Sequence, residues 1–292
     1  MVYSEPFGLS YLPLLIRLQC MESVHLPPYL GSTLHGVIGW KLSAHSPEGY
    51  RFLFENRRYG GGRQDIVNPY ILEPPRSQGF YHRGDMLSFR FILIGDAQRY
   101  LHEIVGALTR DTWYEFGSQR KKFQLVDIIQ EERLDPIWRL GKLNLDAAVP
   151  ERLIAKELDG MTRCSIHLLT PLRIRRGGES LKKIDFPTII RSITRRVAAL
   201  TERYGGYAAH DAISSICRLS ESVHTTSSGL YWYELNRYSN RRNTKMDLSG
   251  LLGAMTFEGE LTPFTSWLNA ARVLHIGRNV TFGCGQLDVV FC

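Results

Sequence analysis

At 292 residues the chain is long for one core and predicts two domains of roughly 100–150 residues each. Hydrophobic residues at 43% and charged residues at 22% exclude a disordered chain, and no apolar run reaches the roughly 18 residues of a membrane span. A net charge of +7 favours a polyanionic partner, while five scattered cysteines without a C-x-x-C pair exclude a zinc ribbon and a disulfide framework and fit a reducing, cytoplasmic setting.

Phe7 to Cys20 runs apolar through Leu12, Leu14, Ile16 and Leu18, with Arg17 and Gln19 on the other face, and reads as a first strand. Pro27-Pro28 breaks it. Leu34, Val37, Ile38 and Leu42 then recur at helical spacing behind Ser32, a suitable N-cap, in a helix that ends near His45-Ser46-Pro47. A Gly- and Arg-rich loop (Arg57 to Arg63) leads to a short strand at Tyr70-Ile-Leu-Glu, closed by Pro74-Pro75, and Arg83-Gly84-Asp85 is a turn. Met86 to Ile94 is a strand, Ala97 to Leu108 a helix with Leu101, Ile104, Val105 and Leu108 on one face, and Lys122 to Gln130 a strand.

The stretch from Leu134 to Leu158 is weakly periodic, carries Pro136 and Pro150, and reads as a connection between domains. Beyond it come a strand from Thr162 to Ile174, a long amphipathic helix capped by Asp185 and reaching Tyr204, and an irregular or partly helical stretch from Ala208 to Ser228. Strands at Gly229–Tyr238 and Lys245–Glu258, a helix at Thr262–Leu274 and a last strand from Gln286 complete the chain. The order β-α-β-β-α-β thus occurs twice. The expected class is α+β: two tandem ferredoxin-like, RRM-like domains around a central cleft, residues 1–135 and 161–292, joined through 136–160. Many RNA-recognition modules present such a sheet to single-stranded RNA, although fold does not define function.

Positive charge concentrates in the second half. Arg173, Arg175, Arg176, Lys182 and Lys183 face only Glu179 in one loop, and the following helix adds Arg191 and Arg195 at i,i+4. A second run carries Arg237, Arg241, Arg242 and Lys245 without an acidic residue, beside Tyr238. Cations interleaved with an aromatic ring suit a surface that tracks phosphates and stacks bases; the competing reading is of hairpins whose charge serves solubility. Before the last strand Gly277, Gly283 and Gly285 fall within nine residues together with Arg278, and their freedom at positive φ suits either a backbone approach to an anion or a tight helix-to-strand connection. No Lys-Ser/Thr follows these glycines and a strand, not a helix, comes next, so the dinucleotide and NTP patterns are excluded.

These residues carry a resemblance. Gly277-Arg-Asn-Val-Thr-Phe-Gly-Cys-Gly285 before the last strand, Thr170-Pro-Leu-Arg-Ile, the Asn236-Arg-Tyr-Ser hairpin and Leu251-Leu-Gly-Ala-Met-Thr-Phe-Glu-Gly resemble the CRISPR-associated endoribonucleases of the RAMP superfamily that cut precursor CRISPR RNA within its repeats. In the first half, Leu26-Pro-Pro-Tyr-Leu-Gly-Ser-Thr-Leu-His-Gly-Val-Ile-Gly, Phe52-Leu-Phe-Glu and Asn68-Pro-Tyr-Ile-Leu-Glu-Pro-Pro resemble the family's first turn and the segment after it. The glycine loop is shared with RAMP proteins that bind RNA without cutting it. Many relatives carry arginine where this chain has His35, and the cysteines that follow the first helix in some are missing here.

The resemblance implies metal- and cofactor-free cleavage: the ribose 2′-hydroxyl attacks the adjacent phosphate, leaving a 2′,3′-cyclic phosphate and a 5′-hydroxyl, by an enzyme that can stay bound to its product. The implied partners are repeat RNA and other CRISPR effector subunits, for a monomer or homodimer with no membrane. Such chemistry needs a base, an acid and a cation at the phosphate. Of nine histidines, His45 is the first candidate, since the C-terminal end of a helix favours imidazolium and hence an acid. Lys41, one turn earlier, is the candidate phosphate cation, and His35, near the helix start, the candidate base. His275 reads instead as the packed end of a helix, and Tyr29 and Tyr50 as lesser candidates for orienting ribose or base. The alternative is a non-cleaving RAMP subunit that binds RNA within an effector complex; a weaker third reading is a ferredoxin-like regulator of some other small anion.

Overall fold

The computed structural model describes residues 5–55, 67–76, 78–117, 119–154, 157–239 and 244–292. The chain forms two compact units. One comprises Leu9–Arg152 with Arg203–Gly205; the other comprises Leu153–Glu202 and Gly206–Cys292, with the chain up to Gly8.

The first unit is built on β1 (Phe7–Cys20), α1 (Gly31–His45), β2 (Tyr70–Glu73), β3 (Met86–Ile94), α2 (Leu101–Thr109), β4 (Trp113–Phe116), β5 (Lys121–Gln130) and β6 (Asp135–Arg139). Its antiparallel sheet runs β2-β3-β1-β5-β6, with β4 paired to β5. The first four strands give the ferredoxin-like order, since each β-α-β crossover inserts a strand beside one already placed. Strand periodicity sends Leu12, Leu14, Ile16 and Leu18 of β1 to one face, where they pack with Leu34, Ile38 and Leu42 of α1 and Ile104, Val105 and Leu108 of α2, all fully buried. The other face takes Arg17 and Asp127, cross-strand partners beside a bulge between Arg17 and Leu18. Asp127, 1% exposed, accepts from Arg17 at 2.7 Å and from Arg139 of β6 at 3.1 Å.

Sequence and structure differ at two places in this unit. α1 starts at Gly31 behind Leu30, which supplies no side-chain cap, so Ser32 lies within the first turn. The weakly periodic stretch expected to connect domains from 136 to 160 instead contributes β6, hydrogen-bonded to β5, so this unit extends to Arg152.

The second unit comprises β7 (Arg163–Leu172), β8 (Arg175–Arg176), β9 (Glu179–Ser180), α3 (Phe186–Tyr204), α4 (His210–Leu219), β10 (His224–Ser228), β11 (Tyr231–Tyr233), β12 (Asn236–Ser239), β13 (Thr244–Asp247), β14 (Gly250–Glu258), α5 (Thr265–Leu274) and β15 (Leu287–Phe291). Arg203–Gly205, at the end of α3, falls to the first unit. The sheet runs β10-β14-β7-β15, again with the strand order of a ferredoxin-like domain, so the two units are tandem copies of one topology. Asp185 caps α3: its carboxylate accepts from the Thr188 amide at 2.9 Å and from the Thr188 hydroxyl. Burial pushes that carboxyl up, but the Thr188 bonds outweigh it and hold it below the usual carboxylate range. Within Ala208–Ser228, α4 and β10 account for most of the stretch that lacks a clear sequence period. Among the described residues no helix is long and apolar enough to cross a membrane.

Candidate functional site

The C-terminal end of α1 packs beside α2, and a cavity of about 470 Å³ opens there. His45, the last residue of α1, lines it half-buried. α2 contributes His102 and Gly106, and its C-cap contributes Arg110, all spaced by four residues and therefore on one helical face, while the exposed Glu103 and Glu48 also line the cavity. Ser46, 4% exposed, lines the same cavity, and its hydroxyl has no hydrogen-bond partner among the described residues. Two imidazoles and a guanidinium thus meet two carboxylates around an open volume.

Lys41 and His35 do not join this cavity. The Lys41 side chain is 1% exposed; its ammonium donates to the Asp111 carbonyl at 2.5 Å and stands 4.1 Å from the Tyr114 ring centroid. Burial pushes its pKa down, opposed by the Asp111 charge. Against the expectation of Lys41 as a phosphate cation, its ammonium is buried and bonded to the chain just beyond α2. His35 packs its ring on Phe54 at 4.8 Å and stacks with Tyr70 at 6.4 Å. Ten residues of α helix, about 15 Å, separate it from His45, and His35 does not line the cavity that His45 lines.

In the second unit the cations divide into braced and open ones. Arg173, expected as an RNA contact, donates to Ser180 Oγ at 3.1 Å and to the Asp247 carbonyl at 2.8 Å, and pairs with the Asp247 carboxylate at 2.8 Å, tying the β8-β9 hairpin down. Burial pushes the Asp247 carboxyl up, yet its bonds from Ser249 and the Arg173 guanidinium hold it below the usual range. Arg191 pairs with Glu221 at 2.9 Å, and Arg175 donates to the Gly178 carbonyl within its own hairpin. Arg175, Arg176, Lys182, Lys183 and Arg195 are exposed. The Lys182 ammonium lies 2.9 Å from the centroid of Trp232, in β11, whose Tyr231 is 56% exposed. The strand expected over Gly229–Tyr238 contains this Tyr-Trp-Tyr run, to which the sequence reading assigned no role. Arg241 and Arg242, like the Arg57–Arg63 loop, lie outside the described residues, as do the side chains of Arg237, Tyr238 and Lys245; their backbone forms part of the β12-β13 hairpin, with Tyr238 opposite Lys245.

The glycine loop is tightly engaged with its own unit. Amides of Ile276, Arg278, Phe282, Gly283, Cys284 and Gly285 donate to carbonyls within the loop or on β7 and its following residue Arg173, and the Thr170 hydroxyl donates to the Gly283 carbonyl at 2.7 Å. Gly277 (φ 81°) and Gly285 (φ 74°) adopt left-handed backbone, and a Cβ on either collides with the backbone of Arg173 or Ile276. These contacts require glycine whether or not a phosphate is held, and leave few amides to face one. His275 is fully buried at the end of α5, its Nδ1 3.3 Å from the Cys284 carbonyl oxygen.

Comparison with known proteins follows this division. A family model described as an N-terminal domain matches residues 9–150, and the model of the CRISPR-associated endoribonuclease Cas6 matches residues 166–287. A search of curated proteins by sequence finds no match. Among solved structures, a Cas6 product complex aligns with a TM-score of 0.64 at 15% identity over 96% of this chain and 100% of that one. Thermus thermophilus Cas6 aligns at 0.58 and 14% identity over 97% of this chain and 99% of that one. A RAMP protein described as binding different RNA substrates aligns at 0.54 and 12% identity, over 96% of this chain and 99% of that one. At such identities the structural likeness is one of fold. The Cas6 model thus matches the second unit, and the fold over nearly the whole chain is the one seen in the solved Cas6 and RAMP structures.

Proposed function

We propose that this chain is an endoribonuclease that cuts precursor CRISPR RNA within its repeats without a metal, leaving a 2′,3′-cyclic phosphate and a 5′-hydroxyl, and that it can hold its product. The observation that carries the reading is His45, at the end of α1, on an open cavity shared with Arg110 and the Ser46 hydroxyl, which has no hydrogen-bond partner among the described residues. His45 donates a proton to the departing 5′-oxygen, and Arg110 offsets charge on the phosphorane. The exposed cations Arg175, Arg176, Lys182, Lys183 and Arg195 hold the RNA backbone. The Cas6 family match supports the substrate class.

Labelled repeat RNA incubated with the protein in EDTA tests this. Cleavage by wild type, with a cyclic phosphate on the upstream product and loss of the reaction in His45→Ala, is the expected outcome. The second reading, a RAMP subunit that binds RNA without cutting it, is favoured by one observation: Lys41 is buried and His35 is packed on aromatic rings, so of the expected catalytic trio His45 alone lines this cavity. Tight binding by wild type with no product establishes that reading.

A further inference from the structure

We propose that His102 is the second proton-transfer group of this cavity, the base that takes the 2′-hydroxyl proton; the assignment rests on the cleavage proposed above. Cleavage by transesterification forms the O2′–P bond and breaks the P–O5′ bond, with one proton leaving O2′ and one arriving at O5′. The phosphodiester carries one negative charge before and after, so a base and an acid balance the reaction with no further reactant. The structure places a second imidazole in the cavity of His45, and it is not His35: His102 is exposed on the first turn of α2.

The rest of the α2 face is shaped to admit a substrate between the two rings. His102, Gly106 and Arg110 are aligned at i, i+4 and i+8, which sets His102 and Arg110 about 12 Å apart along the axis with the glycine between them. Glycine in a helix interior is unfavourable. Nothing in the packing requires it here, since a Cβ on Gly106 meets no atom within 4 Å. Its missing side chain keeps the floor of the cavity open, and Ala107 beside it is the next smallest choice. The buried Ser46 hydroxyl, without a hydrogen-bond partner among the described residues, supplies a donor from the end of α1. The exposed Glu48 and Glu103 and, at the end of α2, Arg110 are the other charged groups that line the cavity with the two imidazoles.

The test compares wild type, His45→Ala, His102→Ala and Gly106→Leu on the same repeat RNA, in single turnover at saturating protein across pH 5–9. His102→Ala, on an exposed side chain, is expected to keep its melting temperature and RNA affinity while its cleavage rate falls at least 50-fold and the rise of rate from low pH disappears. Gly106→Leu, which removes a helix-interior glycine, is expected to melt higher than wild type and yet cleave at least tenfold more slowly. A substrate whose scissile 5′-oxygen is replaced by sulfur leaves without an acid; it should restore cleavage to His45→Ala and not to His102→Ala. If wild type cuts and His45→Ala does not while His102→Ala cuts at the wild-type rate, the second-imidazole assignment is wrong and the cleavage reading stands. Restoration of His102→Ala by the sulfur substrate overturns its role as base. A wild type that binds the RNA and never cuts it overturns both.

Discussion

Lys41 Nζ lies 2.5 Å from the Asp111 carbonyl oxygen and 4.1 Å from the Tyr114 ring centroid. A long cationic side chain on α1 therefore reaches to the chain just past α2, where carbonyls left without helical partners need donors. The buried Tyr114 hydroxyl in turn donates to the Leu108 carbonyl at 2.9 Å, and burial pushes its pKa well above the usual phenol range. Lys41→Ala removes a charge-assisted bond and the packing of the stem, and is expected to cost about 2–3 kcal/mol. Denaturant melts measure that loss; the single-turnover rate of the folded variant should stay within a few-fold of wild type. A 100-fold slower rate with unchanged stability would return Lys41 to the reaction.

Asp127 offers a test by pH. Burial alone would push its carboxyl up, but the guanidinium groups of Arg17 and Arg139 outweigh burial and hold it below the usual carboxylate range. Because the folded-state value lies below the unfolded value of about 3.9, the stabilisation is complete above that unfolded value and fades as pH falls through the folded one. Asp127→Asn leaves two guanidiniums facing each other with no countercharge, and should lose about 2–3 kcal/mol at pH 7, below the range for fully buried pairs because both arginines are partly exposed. The gap between wild type and variant should narrow from pH 5 towards pH 2. A gap that stays constant over that range would show that geometry, not charge, carries the effect.

Both ferredoxin-like units were legible because each long strand and helix has a clean period: Leu12, Leu14, Ile16 and Leu18 alternate, and Leu34, Ile38 and Leu42 share one helical face. The extent of the first unit was not, because β6 contributes only Ile137 and Trp138 to burial and its Pro136 reads as a breaker. At the proposed site, His45 stood out in the sequence from its place at a helix end. The burial of Lys41 was not legible, because helical spacing shows which residues share a face and not which face is buried; its neighbours Leu34, Ile38 and Leu42 place it on the core side. His102 and Arg110, which line the same cavity, carried no signal in the sequence, because a histidine on a predicted helix gains meaning only when another element is known to pack beside it.

Gly285 separates the two readings of the glycine loop. With φ at 74° and the Ile276 carbonyl in the space of its missing Cβ, Gly285→Ala carries left-handed strain of about 1–2 kcal/mol and a backbone collision besides. The second unit should melt earlier, with RNA affinity lost in proportion to unfolding. Gly283→Ala, also at positive φ, should weaken RNA binding more than it slows cleavage of bound RNA if this loop grips the backbone. Filter binding and single-turnover rates on the two variants distinguish these effects; an affinity that does not change in folded Gly283→Ala would leave the loop a purely internal connection.

The aromatic strand β11 predicts a different signature from the cations around it. Tyr231 is exposed and Trp232 already carries Lys182 against its ring, so one offers a free face to a base while the other positions a cation. Base stacking on an aromatic ring contributes about 1–3 kcal/mol, so Tyr231→Ala should weaken RNA binding by about 5- to 150-fold with little change in its salt dependence. Arg176→Ala with Lys183→Ala should instead flatten that dependence: each phosphate contact contributes about 0.7 to the slope of log K against log salt on single-stranded RNA, so the pair should remove about 1.4. Affinities measured from 50 to 300 mM salt read both quantities at once. If Tyr231→Ala flattens the slope as the double cation variant does, the strand serves to order the neighbouring cations and does not meet a base.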